Sequence, residues 1–69
     1  MIDPKRLTEA DKGREVEYFP PGDMNIYGRI QTWENGLICV GLHGHSYYSW
    51  LIPRLLQFAH GTYQDGGAE

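Results

Sequence analysis

Cysteine is all but missing: Cys39 is the only one in 69 residues, which excludes an internal disulfide and a Cys-only zinc site. Packing alone must therefore hold the domain together, and a reduced, cytoplasmic setting is expected. Long apolar runs are missing too. None approaches the ~20 residues that a membrane helix needs, so no membrane partner is expected. Met1-Ile2-Asp3-Pro4-Lys5-Arg6 carries no apolar stretch before a small-residue cleavage site, and no signal peptide is expected from it. Positive charge is scarce: six Lys and Arg against nine Asp and Glu give a net charge of −3. The imbalance sits at the ends, with −1 over residues 1–20, zero over 21–60 and −2 over 61–69. No basic stripe exists to track a phosphate backbone, which disfavours nucleic acid as the partner.

What is present is a run of short, alternating, β-rich segments in a chain that is 41% hydrophobic. That fraction, with so small a net charge, suits a single folded domain rather than a disordered chain. Thr8 ahead of Asp11 matches the start of a short helical turn, which Lys12-Gly13 ends. Val16 and Tyr18 alternate with Glu15 and Glu17 as a half-buried strand, and Pro20-Pro21-Gly22-Asp23 closes it. Tyr47 to Ile52 is aromatic and β-branched enough for another strand. Pro53 breaks that run. Arg54 to Phe58 reads as one turn of helix or a short closing strand, and 61–69 as a flexible tail.

The strongest local signal is the hairpin between Ile26–Trp33 and Leu37–Leu42, around Glu34-Asn35-Gly36. A two-residue Asn-Gly turn would place Gln31 and Arg29 on the apolar face. A three-residue loop instead gathers Ile26 and Ile30 with Ile38, Val40 and Leu42, leaving Gly28 to make room opposite Leu42. Burial selects the second register, because a slip of one residue exchanges the two faces. The opposite face then carries Tyr27, Arg29, Gln31 and Trp33 beside Leu37, Cys39 and His43.

About five strands in so short a chain predict an all-β fold: a small SH3-like antiparallel barrel with a short helical turn and a flexible C-terminal tail. The domain is expected over 7–60, with 1–6 and 61–69 as flexible termini. Its expected core is Val16, Tyr18, Ile26, Ile30, Ile38, Val40, Leu42, Leu51, Leu55 and Phe58. Such a core supplies roughly 3–5 kcal/mol of net stability.

Leu7-Thr8 with Asp11, Gly13-Arg14, Val16 and Tyr18, then a Pro/Gly-rich loop and Gly28-Arg29-Ile30 with Trp33, resembles small phage- and prophage-encoded proteins of unassigned function. The likeness spans about Leu7 to Leu42. It implies a phage or prophage origin, in a bacterium or infected host cell, and an SH3-like barrel. It brings no catalytic residue with it.

Ser46 or Ser49 with His43, His45 or His60 lacks a Gly-x-Ser-x-Gly context and an oxyanion loop, so no hydrolase and no enzyme is expected. Gly41-Leu42-His43-Gly44 lacks the lysine and the following helix of a phosphate loop. Cys39, His43 and His45 include residue types that suit zinc, yet Cys39 and His43 lie about 13 Å apart along an extended strand at ~3.3 Å per residue. No metal or other cofactor is expected. Glu15 and Glu17 read as a solvated strand face. What remains is an aromatic–arginine surface of Tyr27, Arg29, Trp33, Tyr47, Tyr48 and Trp50, rich in the residue types that dominate interfaces. The expected function is a binding module for a host or viral protein. The alternatives are single-strand nucleic-acid binding by base stacking and a homodimer that buries the patch.

Overall fold

Asn35 and Gly36 both adopt positive φ, 53° and 79°, in the computed structural model, which describes residues 1–59. Two consecutive positive values belong to the tight two-residue turn that Asn-Gly favours. The turn joins β2 (Ile26–Glu34) to β3 (Leu37–Leu42), with Trp33 opposite Ile38 and Glu34 opposite Leu37. This corrects the three-residue loop expected from burial. Farther along the hairpin, however, Ile30 lies opposite Val40 and Gly28 opposite Leu42, the pairing that burial selected. A β-bulge at Gln31 reconciles the two: one extra residue on β2 shifts the register by one. The consequence is a sorting of side chains. Ile30, facing Val40, and Trp33, facing Ile38, end on the same core face, although their spacing along a regular strand would separate them.

Three more strands complete an all-β architecture. β1 (Glu15–Tyr18) pairs antiparallel with β2, β4 (Tyr48–Leu51) with β3, and β5 (Leu56–Phe58) with the free side of β1. The five-stranded sheet has the order β4-β3-β2-β1-β5. Its outermost strands, β4 and β5, are not paired with each other, so the sheet is open. It cannot be flat. Only residues 52–55 join β4 to β5, and Pro53–Leu55 are wound into a 3-10 turn. That linker reaches about 15 Å at most, whereas the edges of a flat five-stranded sheet lie about 19 Å apart. The sheet must curl until its edges approach, and Leu51 of β4 duly meets the same apolar cluster as Leu56 and Phe58 of β5.

The cluster comprises Ile2, Leu7, Val16, Ile30, Ile38, Val40, Leu42, Leu56 and Phe58, with Tyr18, Ile26, Trp33 and Leu51 packed against it. Leu56 takes the buried place expected of Leu55: β5 starts at Leu56 and alternates inward from there, while Leu55 is the half-buried end of the 3-10 turn. The core also reaches beyond the segment read as the domain. Ile2 is 0% exposed, and its amide donates to the Pro53 carbonyl at 3.4 Å. His60 and the tail 61–69 lie outside the described residues.

Residues 8–14 strap this N-terminal arm to β2. The Asp11 carboxylate, 0% exposed, accepts from the Thr8 amide at 2.9 Å, the Thr8 hydroxyl at 3.4 Å and Arg14 Nη1 at 2.9 Å. The Arg14 guanidinium in turn lies 3.8 Å from the Phe58 ring centroid. The expected helical turn is thus a 3-10 turn, Glu9–Asp11, whose closing carboxylate is fully ligated. Gly13 donates its amide to the Ile30 carbonyl at 2.8 Å, and Ile30 donates to Arg14 at 3.1 Å. Among the described residues no helix is long and apolar enough to cross a membrane.

Candidate functional site

Directly opposed residues in a sheet share a face, so the ladder pairs define what lies on the side away from the core. One outer row runs Gln57, Glu17, Tyr27, and His43 extends it by donating its amide to the Tyr27 carbonyl at 2.9 Å. The next row runs Glu15, Arg29, Gly41, Tyr48, and a third runs Thr32, Cys39, Trp50. Four of the six residues singled out from the sequence therefore share this face: Tyr27, Arg29, Tyr48 and Trp50. All four are exposed.

They do not form one cluster. Arg29 turns toward the β1 side, where its Nη1 donates to the Gly13 carbonyl at 2.9 Å. Tyr48, 65% exposed, lies over Gly41: a Cβ built on that glycine would sit 3.2 Å from two atoms of the tyrosine ring. Gly41 thus supplies the flat floor for an aromatic ring. Trp50, 49% exposed, stands beside it and joins Glu34, Asn35 and Leu37 in lining an open depression of about 220 Å³ at the hairpin tip. Leu37 and Ile52 are exposed at the same end.

The other two residues fall elsewhere. Trp33 is half-buried on the core side, packed against the cluster, with Lys12 Nζ 5.8 Å from its ring centroid. The sequence reading placed it with Tyr27 and Arg29, and the bulge at Gln31 is what moves it across. Tyr47 precedes β4 and is exposed, its ring centroid 5.2 Å from that of His45.

The electrostatics of the face are mixed. Glu17 accepts a hydrogen bond from the Asn25 side chain, and the Glu15 carboxylate lies 4.0 Å from His43 Nε2. Arg29 is therefore flanked by two half-buried carboxylates on β1. Cys39 belongs to the outer row but is buried between Thr32 and Trp50, and desolvation raises its pKa above the ordinary value. Among the described residues no group of three or more His, Cys, Asp and Glu side chains is placed to hold a metal ion; His60 lies outside them. The sequence reading missed the depression at the hairpin tip, because the exposure of Leu37 and its adjacency to Trp50 depend on a strand pairing that no local pattern encodes. No family model matches the chain, and neither a curated protein nor a solved structure matches it significantly.

Proposed function

We propose that this chain is a non-enzymatic binding module that contacts a protein partner through the outer face of β2, β3 and β4. Tyr27, Arg29, Tyr48 and Trp50 are the contact residues, with Tyr47 at the margin. The observation that carries the reading is the pair of exposed aromatics, Tyr48 and Trp50, standing together over Gly41 and the hairpin-tip depression. Large aromatic surface left in water by a domain with so small a core is surface that binding can bury. Glu15 and Glu17 beside Arg29 favour a protein over a polyphosphate, because a nucleic-acid backbone would meet two carboxylates around the one arginine of this face.

The finer fold belongs to the same proposal: the curl demanded by the four-residue β4–β5 linker supports an SH3-like barrel. Phage or prophage origin rests on the Gly13-Arg14 and Gly28-Arg29-Ile30 motifs. A cytoplasmic setting rests on the single buried thiol.

The test compares capture of partners from a lysate of phage-infected bacteria by wild type, Trp50→Ala and Tyr27→Ala/Arg29→Ala, with circular dichroism and melting followed in parallel. A specific partner should be lost by about 30-fold or more in affinity from either variant, the effect of a residue at an interface centre, while the melting temperature stays within a few degrees. Trp33→Phe should capture as wild type does. Salt-dependent quenching of tryptophan fluorescence by a single-stranded oligonucleotide would instead select base stacking.

A further inference from the structure

Among the described residues nothing pairs with the outer side of β4, and the direction of that side follows from the ladder. The hydrogen bond from His43, just past β3, to Tyr27 shows that His43 directs its backbone toward β2, and by alternation so do Gly41 and Cys39 of β3. By alternation Ile38 and Val40 direct theirs toward β4, where they meet Leu51 and Ser49. Tyr48 and Trp50 therefore turn their N–H and C=O groups outward, away from the sheet. Natural edges are blunted by lysine, proline, bulges or extreme shortness. Residues 47–52, Tyr-Tyr-Ser-Trp-Leu-Ile, contain neither a charge nor a proline. The opposite edge, β5, has only three residues.

We infer that β4 pairs with β4 of a second copy of this chain, antiparallel about a two-fold axis at Ser49, giving a continuous ten-stranded sheet. In this register Tyr48 faces the mate's Trp50 and Trp50 the mate's Tyr48, so both outward-directed residues of each strand make reciprocal backbone bonds. Two aromatic cross-strand pairs form on the outer face. Ser49, small and half-buried, meets its own copy on the axis. Each copy carries −3, but the 47–52 segment is uncharged, so the paired edges bring no like charges together at the contact. Area agrees. Tyr47, Tyr48, Trp50 and Ile52, 46–65% exposed, together leave on the order of 500 Å² of surface along this edge. Two such edges approach the ~1,000 Å² that marks a specific interface. Edge pairing shares Tyr48 and Trp50 with the binding face proposed above and leaves Tyr27 and Arg29, two strands away, facing solvent.

Light scattering after size exclusion, run over a range of concentrations, should give twice 7.9 kDa for the wild type. Trp50→Lys should shift it to monomer with an unchanged circular-dichroism spectrum. Tyr48→Pro provides the second variant. The amide it removes points out of the sheet, so the proline should block pairing while sparing the fold. Ser49→Cys should crosslink to a covalent dimer under mild oxidation, since residues directly opposed on neighbouring strands lie within disulfide reach. Tyr48→Cys, which faces tryptophan, should not. A wild-type monomer at every concentration overturns the inference. So does a dimer that survives Trp50→Lys, or one that crosslinks through Tyr48→Cys and not through Ser49→Cys. A wild type that stays monomeric yet loses partner capture in Tyr27→Ala/Arg29→Ala would overturn this inference and leave the binding reading standing.

Discussion

Gly28 shows how much one residue can state about the fold. A Cβ there would lie 2.7 Å from Val40 Cγ1 and 2.8 Å from the Gly41 carbonyl oxygen, and backbone cannot step aside as a side chain can. Gly28→Ala should therefore cost about 2–3 kcal/mol, the upper range for overpacking, read as a lower urea midpoint. Gly41→Ala presses only on the Tyr48 ring and the Gln31 amide, and should cost less than half as much. The room that Gly28 leaves opposite Leu42 was legible from the sequence, because the glycine interrupts an otherwise bulky strand. Cys39 makes a different prediction. Burial raises its pKa, so the folded chain keeps the thiol proton to higher pH than the unfolded chain does. Its contribution to stability is complete below the unfolded value, near 9, and is lost as pH climbs through the higher folded value. Between pH 8 and 10 wild type should lose more stability than Cys39→Ala. Equal losses would mean that the thiolate is as well solvated folded as unfolded.

At the scale of elements, the hairpin explains why the sequence was only partly readable. Two local signals conflicted: Asn35-Gly36 asked for a two-residue turn, and the apolar positions asked for the register of a three-residue loop. Both hold, each on its own side of Gln31. Choosing one register for the whole hairpin had to misplace something, and it misplaced Trp33. Polar Gln31 in a strand carries no mark of a bulge, since a bulge is set by the twist the whole sheet requires. Leu55 and Leu56 posed a similar ambiguity, because adjacent leucines leave the phase of a three-residue strand open. The turn itself gives a sharp test. Asn35 sits at φ 53°, where asparagine and glycine are at ease and a β-branched residue is not. Asn35→Gly should change the unfolding free energy by a few tenths of a kcal/mol, and Asn35→Val should lower it by about 1–2 kcal/mol. Equal urea midpoints for the two variants would mean that the turn is not held in this conformation.

For the whole molecule, the decisive constraint is the four-residue link between opposite edges of an open sheet. It forces the curl, and the curl leaves an end to be covered near Pro53. Ile2 does the covering: it is wholly buried in the common cluster and hydrogen-bonded to the Pro53 carbonyl. Nothing in Met1-Ile2-Asp3 announces this, because a lone apolar residue before Pro4 has no periodicity to read, and its value comes from where the sheet's edges meet. A segment that reads as a terminus thus acts as a part of the core. Ile2→Ala removes buried methyl and methylene groups from that seam and should cost about 2–4 kcal/mol. In a chain of this size such a loss corresponds to a fall of roughly 10–20 °C in melting temperature. Asp3→Ala removes a carboxylate that accepts from the Lys5 amide, and should move the melt less than Ile2→Ala does. If Ile2→Ala melts with the wild type, residues 1–6 are dispensable, and the curled sheet must be closed by its own strands rather than by the arm laid against Pro53.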